Sequence, residues 1–152
     1  MGARRWMMEY GVAMAMAFFL ALVFGQIPLF RETGVGKLRA SDLVQFLGYG
    51  GSLFIAWLGA RELAKNPPAE WKWITPFQGI IVPLTTLFSV AIAYGVLLFV
   101  AEPFLGKTGK SLYNWIFIIA IVSSAVWLIG CWVWKCAPLV ATKETPKVRK
   151  AA

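Results

Sequence analysis

Seven carboxylates, two cysteines, fifteen lysines or arginines and no histidine are the groups from which this chain could build chemistry. The missing histidine removes the usual haem axial ligand, most catalytic zinc sites and the commonest general base. Cys131 and Cys136 are five residues apart. On an α-helix that spacing points them about 140° apart, a poor geometry for an intrahelical disulfide or a metal pair. They read as a packed small residue and an interfacial thiol; palmitoylation of Cys136, beside Lys135, is the sharper alternative. Met7, Met8, Met14 and Met16 crowd one stretch, but Met14 and Met16 point to different helix faces. They are expected to pack rather than to hold copper. Glu9 flanks Arg4 and Arg5 and reads as their partner at an interface. No cofactor, metal site or catalytic residue is expected.

Two motif fragments invite a functional reading and fail it. Gly106-Lys107-Thr108-Gly109-Lys110-Ser111 resembles part of a phosphate-binding loop. That loop needs a glycine five residues before its Gly-Lys-Ser/Thr. Phe104 holds the position in one frame and Ala101 in the other, so a turn followed by a helix N-cap is expected. Met1-Gly2 begins like a myristoylation signal, but Trp6 stands where serine or threonine is required.

The elements that must carry these groups are four charge-free runs: Tyr10–Phe30, Leu43–Ala60, Trp73–Ala101 and Ser111–Trp134. Together they hold 92 of 152 residues, so no segment between them can fold as a soluble domain. Hydrophobic residues make up 59% of the chain and charged ones 14%, against roughly 25% charged in an ordinary soluble domain. The fold class is therefore all-α integral membrane, a four-transmembrane-helix bundle in one domain over 1–152. Spans are expected at about 6–27, 42–64, 76–101 and 111–135, with a basic flexible tail at 136–152. Pro28 ends the first span, and Asn66-Pro67-Pro68 the second. Ser41-Asp42 and Ser111 are read as N-caps. Pro83 should kink the third span. Trp115 and Trp134 lie 19 residues apart, about 28 Å of helix, and place one ring at each interface.

Lys and Arg in the flanks divide 10 to 5 in favour of the side holding both termini. Both termini are therefore expected in the cytoplasm, in the bacterial inner (plasma) membrane. The net charge of +8 then implies anionic lipid headgroups as partners, and no nucleic acid. Gly-Lys-x-x-x-Ser recurs at Gly36, Lys37, Ser41 and at Gly106, Lys107, Ser111. Duplication of a helical hairpin, a parallel repeat, and chance convergence on loop chemistry account for it equally well.

Small residues recur at i, i+4 spacing in the first two spans: Ala13, Ala17, Ala21 and Gly25, then Gly48, Ser52, Ala56, Ala60 and Ala64. Such stripes let helix backbones approach in lipid, where association rests on packing rather than hydrophobicity. These two helices are expected to pack on each other, with docking of a partner as the alternative. Ser52, Thr85, Thr86, Ser89, Ser123 and Ser124 form a midspan polar layer. Gln26, Gln45, Tyr49, Glu102 and Asn114 fall near the span ends away from the termini. They are the candidate interaction or ligand surface, with Gln45, Glu102 and Asn114 facing one another.

No charge falls within a run, whereas ion-coupled transport normally needs a buried carboxylate or base. The expected function is a non-catalytic accessory or scaffolding subunit of a larger membrane protein complex. The alternative is a small oligomeric transporter or channel for a neutral or lipidic solute. Membrane protein partners, or further copies of the chain, are expected in either case.

Overall fold

The computed structural model describes residues 2–138 and is about 88% helical. The rest of the expected basic tail, 139–152, lies outside the described residues. Four helices are long and apolar enough to cross a membrane: α1 (Ala3–Gln26), α3 (Ala40–Lys65), α4 (Gln78–Ala101) and α5 (Lys107–Cys136). The short α2 (Pro28–Glu32) starts on a proline, whose fixed φ suits a first helical turn. Single 3-10 turns, Lys72–Phe77 and Glu102–Phe104, flank α4. Pro83 lies buried within α4, which continues through it.

The long helices pack in chain order: α1 on α3, α3 on α4, and α4 on α5. Each neighbour runs antiparallel to the last. The start of α1 and the end of α5 therefore share one end, the termini end, with the α3–α4 connection, and the other two connections share the opposite end. The central helix α3 is the most enclosed, with 17% of its apolar stretch buried against 6% in α1 and α4 and 11% in α5. The rest of this apolar surface faces outward, as expected of helices solvated by lipid.

The α1–α3 seam is built on the predicted small residues. Ala21 is 1% exposed. A Cβ added at Gly48 would collide with the Ala21 methyl and lie 3.0 Å from the Ala17 carbonyl oxygen. One added at Gly25 would press into the Gln45 side chain. Ser52 Oγ donates to the Met14 carbonyl at 3.2 Å. At the termini end Gly59 takes over, facing Tyr10, and the Trp6 indole N–H donates to the Gly59 carbonyl at 2.9 Å. Ala13 is half-buried and Ala60 buried in the same array. Ala56 lines an open cavity together with Met14, Ala15 and Phe18 of α1.

Three local expectations are corrected. Ser41 and Ser111 are not N-caps. Arg39 caps α3 and Gly106 caps α5, and neither helix has a side-chain cap. A β-hairpin explains the first case. β1 (Gly34–Val35) pairs antiparallel with β2 (Leu38–Arg39), and the Ala40 amide donates to the Thr33 carbonyl at 2.9 Å. Backbone pairing thus fixes where α3 begins and leaves Ser41 buried inside its first turn. The two Gly-Lys pairs consequently differ. Gly36 has φ +64° in a two-residue hairpin turn, as a type II′ turn requires, whereas Gly106 has φ −70°.

The third correction concerns the cysteines. α5 ends in a π turn, Trp132–Cys136, in which the Ala137 amide bonds back five residues to the Trp132 carbonyl. A π turn aligns residues five apart, which α geometry separates. Cys131 and Cys136 are both free and both buried, Cys136 completely. The Cys136 sulfur faces Gly79 of α4, 3.4 Å from where a Cβ would stand. It is therefore not an interfacial thiol presented for acylation. α1 contains a matching π turn at Met7–Gly11 near the same end.

Candidate functional site

The residues proposed to cluster away from the termini each find a separate partner. Gln26 accepts from the Arg31 guanidinium, which also donates to the Gly25 carbonyl at 3.3 Å. Gln45 rests on Gly25 of α1. Asn114 accepts from the Tyr94 hydroxyl at 3.0 Å, and the Tyr113 hydroxyl donates to the Tyr94 carbonyl. Glu102 pairs with Lys110 at 3.1 Å, with both side chains more than half exposed. Tyr49 lies between the rings of Phe18 and Phe99, at centroid distances of 5.4 and 6.0 Å. No hydrogen bond joins Gln45, Glu102 and Asn114 to one another among the described residues. Glu102 does share one small cavity, about 260 Å³, with Asp42, Gly95 and Phe99.

The termini end is aromatic and basic. Trp6 meets Trp71 edge-on at 5.8 Å, Phe77 stacks on Trp132 at 6.2 Å, and Arg61 lies over the Trp57 ring at 5.5 Å. Arg5 donates to Glu9 at 2.7 Å, one turn apart on α1, as expected from their spacing. These are the amphipathic rings and cations that settle at a membrane–water boundary.

Midspan, α1, α3 and α4 border an open cavity of about 610 Å³. Its walls follow helical periodicity. From α4 come Thr85, Phe88, Ser89, Ile92 and Val96, spaced along one face. From α3 come Tyr49, Ser52, Leu53 and Ala56, again at i, i+3, i+4 and i+7, and from α1 Met14, Ala15 and Phe18. The cavity exists because α1 and α4 both pack on α3 but leave a gap between themselves. It is open there, past half-exposed Phe18 and Ile92. A smaller cavity of about 250 Å³ shares Leu53, Ser89 and Val96 from the other side of the α3–α4 contact, beside Gly50 and Ala93. Small side chains thus leave little between the two spaces at this level.

The chemistry of the cavity is narrow. Its lining contains no carboxylate, amine, guanidinium or thiol. Its polar groups are four hydroxyls on apolar walls. Volume and character match small-molecule sites, which run about 300–1,000 Å³ and combine apolar walls with a few polar groups. The arrangement can bind an uncharged molecule, and it offers no nucleophile with a base. The midspan serines and threonines were visible in the sequence, but the Phe18, Phe88 and Ile92 walls were not singled out. The one available signal was the shared face of Thr85, Ser89, Ile92 and Val96.

No family model, curated protein or solved structure matches the chain.

Proposed function

We propose that the chain is a non-catalytic accessory or scaffolding subunit of a larger membrane protein complex. One observation carries this reading. Among the described residues α5 packs mainly on α4, and its outward face presents Trp115, Ile119, Val122, Val126, Ile129 and Val133. Each is more than half exposed. Their 4-3-4-3-4 spacing is that of a helix–helix seam with knobs-into-holes packing, and left-handed crossings of this type dominate membrane bundles. A partner helix would lie along this stripe. The test is purification in mild detergent followed by quantitative mass spectrometry. A membrane protein recovered in fixed ratio supports the reading, provided that Ile119→Ala with Val126→Ala loses it and keeps the melting temperature. Recovery of this chain alone as a homo-oligomer overturns it.

A second reading, a small oligomeric transporter or channel for a neutral or lipidic solute, draws on the midspan cavity. In either reading the chain sits in a bacterial inner membrane with both termini cytoplasmic, on the strength of the Lys and Arg distribution. Single cysteines at Thr33 and Thr108, with Cys131 and Cys136 replaced, are expected to react with an impermeant thiol reagent outside intact cells. A cysteine at Ala69 is expected to stay unlabelled, and the reverse pattern would invert the orientation.

A further inference from the structure

Hydroxyls in the middle of this array fall into two groups. Those of Ser52, Thr86 and Ser124 are spoken for: they donate to the carbonyls of Met14, Val82 and Ala120 at 3.2, 2.8 and 2.8 Å. Thr86 also accepts from the Trp57 indole at 3.1 Å. Those of Tyr49, Thr85 and Ser89 have no hydrogen-bond partner among the described residues, and all three line the 610 Å³ cavity; Ser123, also without one, lies exposed on α5. Thr85 and Ser89 stand one turn apart on α4. Neither folds back on the carbonyl four residues earlier, although Thr86 beside them does. Thr85 and Ser89 lie midspan, where a bilayer supplies no bulk water to satisfy them. A hydroxyl in apolar surroundings without a partner is unfavourable, and here three residues that carry one line the same space of ligand size.

We infer that this cavity is a binding site for an uncharged lipophilic molecule carrying a carbonyl or hydroxyl oxygen. The hydroxyls of Thr85 and Ser89 hydrogen-bond that oxygen. The uncharged lining excludes ionised headgroups, and the apolar walls take a chain or ring system entering from the bilayer through the gap between α1 and α4. Binding requires no transport, so the inference survives failure of either functional reading. The same chemistry could come from a resident neutral lipid or from a diffusing solute.

Photo-affinity labelling in lipid nanodiscs tests it with three probes sharing one sixteen-carbon, diazirine-bearing chain and ending in a methyl ketone, a methyl group or a carboxylate. The ketone probe is expected to label α1, α3 and α4 peptides that line the cavity and to be displaced by excess unlabelled ketone. The other two are expected to label these peptides at least tenfold less. The double variant Thr85→Val with Ser89→Ala removes hydroxyls that bond nothing in the protein. It should therefore keep the wild-type melting temperature and lose about tenfold in apparent ketone affinity, the size expected for two membrane hydrogen bonds. Ala56→Phe, or Ser89→Leu if that variant fails to fold, should fill the cavity and abolish competed labelling. Solvent extraction of the purified protein distinguishes the sources. A neutral lipid at one equivalent, absent from the filled variant, identifies a resident ligand, whereas no lipid with intact ketone labelling identifies a diffusing one. Equal labelling by ketone and hydrocarbon probes, or ketone affinity unchanged in the double variant, overturns the proposal.

Discussion

The seam between α1 and α3 and the seam between α4 and α5 join apolar helices by opposite means. The first brings backbones together. Gly25, Gly48 and Gly59 leave room for Gln45, Ala21 and Tyr10, and one hydroxyl crosses to a carbonyl. The second fills its far half with rings and closes on a glycine, Gly79 against Lys135 and Cys136, only at the termini end. Tyr94, Tyr113 and Phe117 form a cluster with centroids 4.8–5.4 Å apart, tied by the two tyrosine hydroxyls. Both are solutions to association in lipid, where burying apolar surface gives no advantage over leaving it in acyl chains. The glycine seam gains dispersion contacts over a long stretch and tolerates no added volume. The aromatic seam concentrates its contacts and depends on satisfying each phenol.

The contrast breaks most readily at Gly48. Gly48→Leu forces a side chain into Ala21 and the Ala17 carbonyl, and a loss of about 3 kcal/mol is expected, the upper range for overpacking. Gly130→Leu on α5 meets open space and should change little. Equal thermal stability of the two variants in detergent would remove the claim that α1 and α3 are in backbone contact. A smaller effect separates the two Gly-Lys turns. Gly36→Ala places a methyl on a left-handed backbone and is expected to cost about 1–2 kcal/mol, whereas Gly106→Ala has ordinary φ and free space. Comparable melting temperatures for these two would mean the loops share one conformation after all. The smallest effect sharpens the aromatic side. Tyr113→Phe keeps the ring and deletes the hydrogen bond to the Tyr94 carbonyl, for an expected loss of about 0.6 kcal/mol. Tyr113→Ala should lose several times more, and a reversal of that order would show the hydroxyl, not the ring, to hold the seam.

What the sequence made legible follows from which signals are one-dimensional. Charge-free length locates a span without reference to any neighbour, so the runs at Tyr10–Phe30 and Ser111–Trp134 read directly as helices. The α1–α3 stripe was legible for a related reason, since Ala and Gly at every fourth position are informative wherever the helix turns. Loop starts were less so. Ser41 looks like a cap, but a strand pairing at Gly34 and Arg39 decides where α3 begins, and no local propensity at Ser41 reports that pairing. The burial of Cys136 was hard to read for a similar reason. A π turn at Trp132–Cys136 changes the helical period just where the thiol packs against α4. The cavity was the least legible feature. It depends on α1 and α4 both packing chiefly on α3 and leaving a gap between them, a relation between two helices that no single stretch encodes. Gln45, Glu102 and Asn114 illustrate the same limit: their depth in the spans was readable, but their rotation assigned them to three different neighbours.

Packing in chain order also bears on how the molecule is made. Each long helix finds its principal partner in the one just before it, so the main interfaces close short stretches of polypeptide. Local contacts of this kind need little search and favour fast assembly. Synthesis proceeds from the N-terminus, and earlier units generally fold first. When α3 follows α1 into the bilayer, its glycine seam already has its mate. α4 then docks on a finished pair, and α5 on a finished trio. No helix has to stand unpaired waiting for a distant one to arrive, and the order of manufacture is also the order of assembly.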